Sequence, residues 1–195
     1  IGTGDTIYVL EPAKKKSKKI GLGRLGGLPL GVPTDEWPES DGRLMTHLFT
    51  LDLKALPDLQ TRFKGHKTMS FFIADPDDNE AFEPGLGFTA VVFASDSTEH
   101  PAPAGVEVRK TSYYTVEEKS VPSYVWAADY DEPGWDERME LTSPAAFASG
   151  QPVWIQGDED VGGFIMQFNE GLVDVNLGDA GTMYVFEDDA FWQCH

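Results

Sequence analysis

The sequence predicts a predominantly β, α+β-type fold, in which two related sheet units share one core and a few short helices surround them. Three observations carry this expectation. The apolar residues come in short runs rich in β-branched and aromatic types, not in long helical stripes. Twenty glycines and thirteen prolines punctuate those runs, as many short loops require. One pattern also recurs. Leu48-Phe-Thr-Leu-Asp52 precedes Thr68-Met69-x-x-Phe72 and acidic Asp75-Pro-Asp-Asp78, and Ile165-Met-Gln-Phe-Asn169 precedes Thr182-Met183-x-x-Phe186 and acidic Glu187-Asp-Asp189.

The predicted strands, in chain order, begin with Ile7-Tyr-Val-Leu10, Leu48–Leu53, Met69–Ile73 and Phe88–Phe93. Val106–Arg109 and Tyr113–Val116 alternate apolar and polar residues, as half-buried strands do. Val153–Gln156, Phe164–Phe168, Met183–Phe186 and Phe191-Trp192 complete the set. Helix signals are few. Leu53–Leu59 allows a short turn ended by Pro57, a second helix begins near Ser123 and breaks at Pro133-Gly134, and a third follows Ser143-Pro144. The expected organisation is one domain over 1–195, with sub-units at 1–95 and 150–195 and a connecting region at 96–149.

Composition narrows the function classes. The chain has 195 residues, 41% of them hydrophobic, and a folded chain of this size hides roughly 70% of its unfolded surface. No apolar run reaches the length of a membrane-spanning helix. The lysine cluster Lys14–Lys19 followed by Ile20-Gly-Leu-Gly imitates a signal peptide poorly, because Arg24 and the glycines interrupt it. Cys194 is the only cysteine, so no intrachain disulfide forms and a reducing cytoplasm is the expected location. Thirty-three acidic residues against fifteen basic ones give a formal charge of −18. Such a field repels nucleic acid and anionic lipid, and attracts a basic protein.

No catalytic motif stands out, and no cofactor is called for. Gly21-Leu-Gly-Arg-Leu-Gly26 has glycines at dinucleotide spacing, but lysines precede it and Pro29 follows it, so the strand and helix that motif needs are missing. Asp129, Asp131, Gly134 and Glu140 match positions one, three, six and twelve of a calcium loop. Pro133 spoils the fifth, which leaves Asp129, Asp131 and Glu140 as a weak calcium candidate. His47, His66, His100 and His195 are scattered, without zinc spacing. Cys194 reads as a buried thiol, not a nucleophile.

Several segments resemble the YwqG-like family, a bacterial family of unknown biochemical function. Gly26-Gly27-Leu-Pro29 followed by Trp37-Pro38 is similar to its N-terminal signature, and Leu48–Pro57 to its strand and Leu-Pro segment. Gln167 stands in the second such strand, Gly178-Asp179-Ala-Gly181-x-x-Tyr184-x-Phe186 resembles a further signature, and Trp192-Gln-Cys194 a common ending. Thr50 stands where the first strand's Gln is expected, Leu177 replaces a Trp, and Ala148-Ser-Gly150 replaces a second Gly-Gly. The resemblance implies sheet-rich repeats, no accepted catalytic residues and, for some members, immunity against secreted toxins.

Three functions follow as expectations. The first is a binding protein for a basic partner, of the toxin-immunity kind, with no enzyme signature in its sequence. The second is a ligand-binding protein or enzyme with a site between the units near Trp37, Gln156, Gln167 and Asp179. The third is a calcium-stabilised structural protein. Gly26, Gly27, Pro29, Gly178 and Gly181 are expected to shape turns and close packing, not chemistry.

Overall fold

Two antiparallel sheets face each other across a single apolar layer. The computed structural model describes residues 4–14, 21–78 and 80–195; Lys15, Lys16, Lys18 and Lys19 lie outside the described residues. The strands are β1 (Asp5–Pro12), β2 (Arg24–Leu25), β3 (Glu39–Ser40), β4 (Arg43–Leu44), β5 (Thr46–Asp52), β6 (Thr68–Ile73), β7 (Thr89–Ala94), β8 (Tyr114–Val121), β9 (Ala146–Ala148), β10 (Phe164–Asn169), β11 (Thr182–Phe186) and β12 (Ala190–Gln193). The helices are α1 (Pro57–Arg62), α2 (Ser123–Ala127) and α3 (Trp135–Glu140). One sheet has the order β2-β5-β6-β7, the other β12-β11-β10-β9-β1-β8, and β3 and β4 form a small separate ribbon. The fold is mostly β with short helices, as the sequence predicts. Among the described residues, no helix is long and apolar enough to cross a membrane.

The repeated pattern corresponds to a repeated ladder. In the first unit Asp52 faces Thr68, Leu51 faces Met69, Thr50 faces Ser70 and Phe49 faces Phe71. In the second, Asn169 faces Thr182, Phe168 faces Met183, Gln167 faces Tyr184 and Met166 faces Val185. Each ladder then skips one residue, Leu48 in the first and Ile165 in the second. Such a bulge bends and twists its strand. Both skipped residues use their carbonyls alike. Leu48 accepts the Gly26 amide at 2.7 Å, and Ile165 accepts the Ser149 amide at 2.9 Å. The units are therefore β2-β5-β6-β7 and β9-β10-β11-β12, antiparallel throughout.

The strand preceding each unit pairs with the other unit. β1 lies against β9, while Ser112, just ahead of β8, exchanges both amide bonds with Leu25 of β2 at 2.8 and 2.9 Å. β1 and β8 pair with each other over their full length. The core lies between the sheets, where Phe168 meets Phe49 and Phe71 edge-on at ring separations of 5.2 and 5.5 Å. Leu51, Met69, Met166, Met183 and Val185 complete this fully buried layer.

Four local expectations need correction. Pro57 begins α1 and does not end a helix, because its missing amide costs nothing at the first helical position. The residues after Ser143-Pro144 form β9, not a helix, since β1 and β10 supply ladder partners on both sides. Val106–Arg109 makes no ladder strand; its Val106 amide bonds the Pro103 carbonyl at 3.3 Å, and its Arg109 carbonyl accepts the Gly27 amide at 2.8 Å. Val153–Gln156 is a loop whose amides are bonded by side chains instead of a neighbouring strand.

The duplication makes one stability prediction. Gly26 and Ser149 occupy equivalent positions, both left-handed, with φ of 62° and 66°. Glycine adopts this conformation freely, whereas serine does so at a cost of about 1 kcal/mol. Ser149 is also buried, and among the described residues its hydroxyl has no hydrogen-bond partner. Ser149→Gly is expected to raise stability by roughly 1 kcal/mol in urea denaturation, with unchanged slope. A loss of stability would show that the two corners are not equivalent.

Candidate functional site: an acidic aromatic face

Buried polar side chains on the outer faces of the sheets hold loops in place. On the second unit, the Gln167 carbonyl accepts the Val153 amide at 2.8 Å, and the Tyr184 hydroxyl donates to the Val153 carbonyl at 2.9 Å. Gln193 accepts the Gln156 amide at 3.1 Å and donates to the Gly157 carbonyl at 2.8 Å. Burial raises the Tyr184 phenol pKa, keeping it neutral and able to donate. On the first unit, Trp37 donates to the Met45 carbonyl at 2.9 Å and sits edge-on to Phe72.

The first unit also buries a relay of polar side chains. His47 Nδ1 lies 2.9 Å from the Gly27 carbonyl, His47 Nε2 lies 2.9 Å from Thr50 Oγ1, and Thr50 Oγ1 lies 2.8 Å from Ser70 Oγ. A carbonyl only accepts, so Nδ1 carries the proton and Nε2 accepts from Thr50, which in turn accepts from Ser70. Burial lowers the His47 pKa to about 4, so the ring is neutral near pH 7. Histidine beside a hydroxyl suggests an activated nucleophile. Here Thr50 and Ser70 are completely buried and open on no surface, so the relay joins loop to sheet.

The residues expected to form a ligand site are not gathered. Trp37 and Gln167 are buried, each bonded within its own unit, while Gln156 and Asp179 are exposed. Two surface cavities of about 280 Å³ occur elsewhere. One lies between the units, lined by Leu25, Leu48, Arg109, Lys110, Leu172 and Asp174 among others, and the second lies beside Asn169, Thr182 and His195. None of the four residues lines either.

The turn residues have mechanical surroundings. Gly26 and Gly27 form the left-handed corner after β2, and Pro29 is buried just beyond it. Gly178 packs against Trp192, and the Leu177 carbonyl leaves no room for a side chain on Gly181. The calcium expectation is not met by the geometry. Among the described residues, no group of three or more His, Cys, Asp or Glu side chains is placed to hold a metal ion. Asp129 and Asp131 stand in the turn between α2 and α3, and Glu140 ends α3.

That same segment forms a distinctive surface. α2 buries Val125 and Trp126, which pack with Val121 and Phe147 of the second sheet and with Leu141 after α3. The same segment leaves Tyr124 and Tyr130 54% and 74% exposed, and Trp135 half-exposed. Tyr130 stands edge-on to Trp135 at 5.8 Å, and the Arg138 guanidinium lies 6.0 Å from that ring. Arg138 also donates to the Ala128 carbonyl at 3.0 Å, tying α3 back to the end of α2. The stretch from Ser123 to Glu140 carries Asp129, Asp131, Glu132, Asp136, Glu137 and Glu140, with Arg138 its one cation. A hydrogen bond to Glu137 and its charge raise the Tyr124 pKa.

Aromatic faces attract cations, and surrounding carboxylates add to that attraction. The sequence expectation weighed Asp129, Asp131 and Glu140 as a weak calcium candidate and did not foresee the exposed rings. The usable signal was the pair of rings, Tyr130 and Trp135, that flank the Pro133-Gly134 helix break. No known family model matches the chain, and no curated protein matches it.

Proposed function

We propose that this is a YwqG-like binding protein of the cytoplasm that recognises a basic partner protein through the α2–α3 face. The observation that carries the reading is that Tyr124, Tyr130 and Trp135 stay exposed on a segment that carries six carboxylates and one cation. Large aromatic side chains are seldom left in water on a monomer's surface, and they are enriched at binding hot spots. The charge of −18 would steer a cationic protein towards the molecule, and the rings would supply contact once it arrives. The family resemblance adds a role of this kind, neutralisation of a basic toxin domain by a small acidic immunity protein.

Titration with an arginine-rich peptide, followed by tryptophan fluorescence, tests the reading. Affinity is expected to fall at least about tenfold between 50 and 300 mM salt as screening shortens the field. Trp135→Ala should weaken binding about tenfold, since truncating an aromatic hot spot costs more than about 1 kcal/mol, and should leave the melting temperature unchanged. Trp135→Ala keeps the charge, so an unaltered affinity would mean that the peptide senses only net charge, and the proposed face would be wrong. Protection of cells from a toxin encoded beside this protein would extend the reading from binding to immunity.

A further inference from the structure

The edge of the first sheet is open, and its neighbours are charged in a self-complementary way. β7 ends that sheet. The Ala74 amide donates to the Phe88 carbonyl at 2.8 Å, which fixes the alternation along the ladder. Ala90, Val92 and Ala94 bond towards β6, while Thr89, Val91 and Phe93 turn their amides and carbonyls the other way. Among the described residues, no backbone group meets those of Val91 and Phe93.

Natural edges are usually blunted, and the other edges of this molecule are. β8 carries Glu117, Glu118, Lys119 and Ser120, all exposed, and β12 is covered where the Trp192 amide bonds the Ala81 carbonyl at 2.8 Å. β7 carries no charge of its own, and β12 approaches it at the Thr89 end, where the Thr89 hydroxyl bonds the Ala190 carbonyl at 3.2 Å. Thr89-Ala-Val-Val-Phe-Ala94 contains no charge and no proline, and its first five residues are all partly exposed. Next to it, Phe82 and Leu86 are 52% and 40% exposed. An uncharged edge of this composition pairs readily with another strand.

The charges choose the occupant. At the Ala94 end stand Lys67, whose amide bonds the Ala94 carbonyl, and Lys64, which follows the Phe63 ring stacked on Phe93. Asp96 is also there, its carboxylate accepting the Thr98 amide at 2.8 Å. At the Thr89 end stand Glu83 and Asp189; Asp189 accepts the Gly85 amide, and Thr89 bonds the Ala190 carbonyl. Arg62 and Glu187 pair at 2.6 Å and cancel. One end is net positive and the other net negative.

We propose that β7 is a homodimer edge, pairing antiparallel with β7 of a second copy to make one continuous eight-stranded sheet. A two-fold axis near Val91 and Val92 lays the Ala94 end of each copy beside the Thr89 end of the other. The lysines of each copy then face the carboxylates of its partner, and the contact occurs twice. Such an isologous contact closes on itself and does not propagate into a fibre. The outward amides and the apolar strip gain partners together.

Sedimentation velocity on the full chain tests this independently of the binding function proposed above. Each copy carries −18, so added salt should strengthen the dimer by screening repulsion, whereas it should weaken peptide binding. Val91→Pro removes an outward amide that β6 does not use, and should weaken dimerisation by about a hundredfold while the chain stays folded. Lys67→Glu should weaken it about tenfold, since the altered contact occurs twice, and adding Glu83→Lys should restore it. The Lys67 variants alter exposed side chains and decide the matter even where Val91→Pro fails to fold. A monomer at all salt concentrations, or a dimer indifferent to the Lys67 and Glu83 exchange, would overturn the proposal.

Discussion

Phe168→Ala is expected to destabilise the protein by about 3–5 kcal/mol, a large part of the stability of an ordinary domain. Phe168 is 1% exposed and touches Phe49 and Phe71 from the opposite sheet. Its removal opens a cavity at the centre of the layer shared by the two units. The neighbours stand on strands bonded on both sides, so they cannot collapse into the space. Because the lost contacts belong to both sheets, the variant should still unfold in one transition, at a lower urea midpoint. Tyr130→Ala, at a ring 74% exposed, serves as the control and should fall within about 0.5 kcal/mol of the parent. Two separated transitions, or a loss below about 1 kcal/mol, would show that the sheets do not depend on one core.

Acid should act on the His47 relay. The folded pKa of about 4 lies below the ordinary 6.5, so between these values the unfolded chain binds a proton that the folded one refuses. His47 therefore contributes its full stabilisation above pH 6.5 and loses it as the pH falls through that window to about 4. The total loss is about 3 kcal/mol on the linkage scale of 1.4 kcal/mol per unit. Protonation also turns Nε2 into a donor facing the Thr50 hydroxyl, reversing the sense of the relay. Acid titrates many carboxylates at the same time, so the quantity to measure is the difference between the parent and His47→Leu. Urea midpoints from pH 7 to pH 4 should converge for the two proteins; a constant gap would mean that His47 is protonated alike in both states.

Much of the architecture can be read from the residues. The β-rich runs became strands wherever their backbone found a neighbour, and the Thr-Met echo marked equivalent positions, Thr68 with Thr182 and Met69 with Met183. Two of the failures share one cause. Val153–Gln156 has the composition of a strand, yet Gln167, Tyr184 and Gln193 take the amides that a neighbouring strand would have taken. Ala146–Ala148 looks helical after Ser143-Pro144 and is a strand because β1 and β10 lie on either side. Backbone bonding is decided by what lies alongside, and local composition does not record that.

The candidate site was less legible. Gln167 drew attention as a polar residue inside an apolar strand, but whether such a residue faces a ligand or a loop depends on what covers the sheet. Here Val153 covers it. The acids at 129–140 were visible, and their separation from any common metal position was not, because carboxylates near in sequence point apart around a turn and a short helix.

By itself the sequence determined the β class, the repeated unit and the acidic character, since these follow from side-chain type and spacing along the chain. The tertiary structure alone decided which strands pair, that each unit borrows its neighbour's leading strand, and which aromatic rings remain in water. Those outcomes depend on contacts between residues far apart in sequence, where geometry and competition for hydrogen-bond partners select among arrangements that local preference leaves nearly equal.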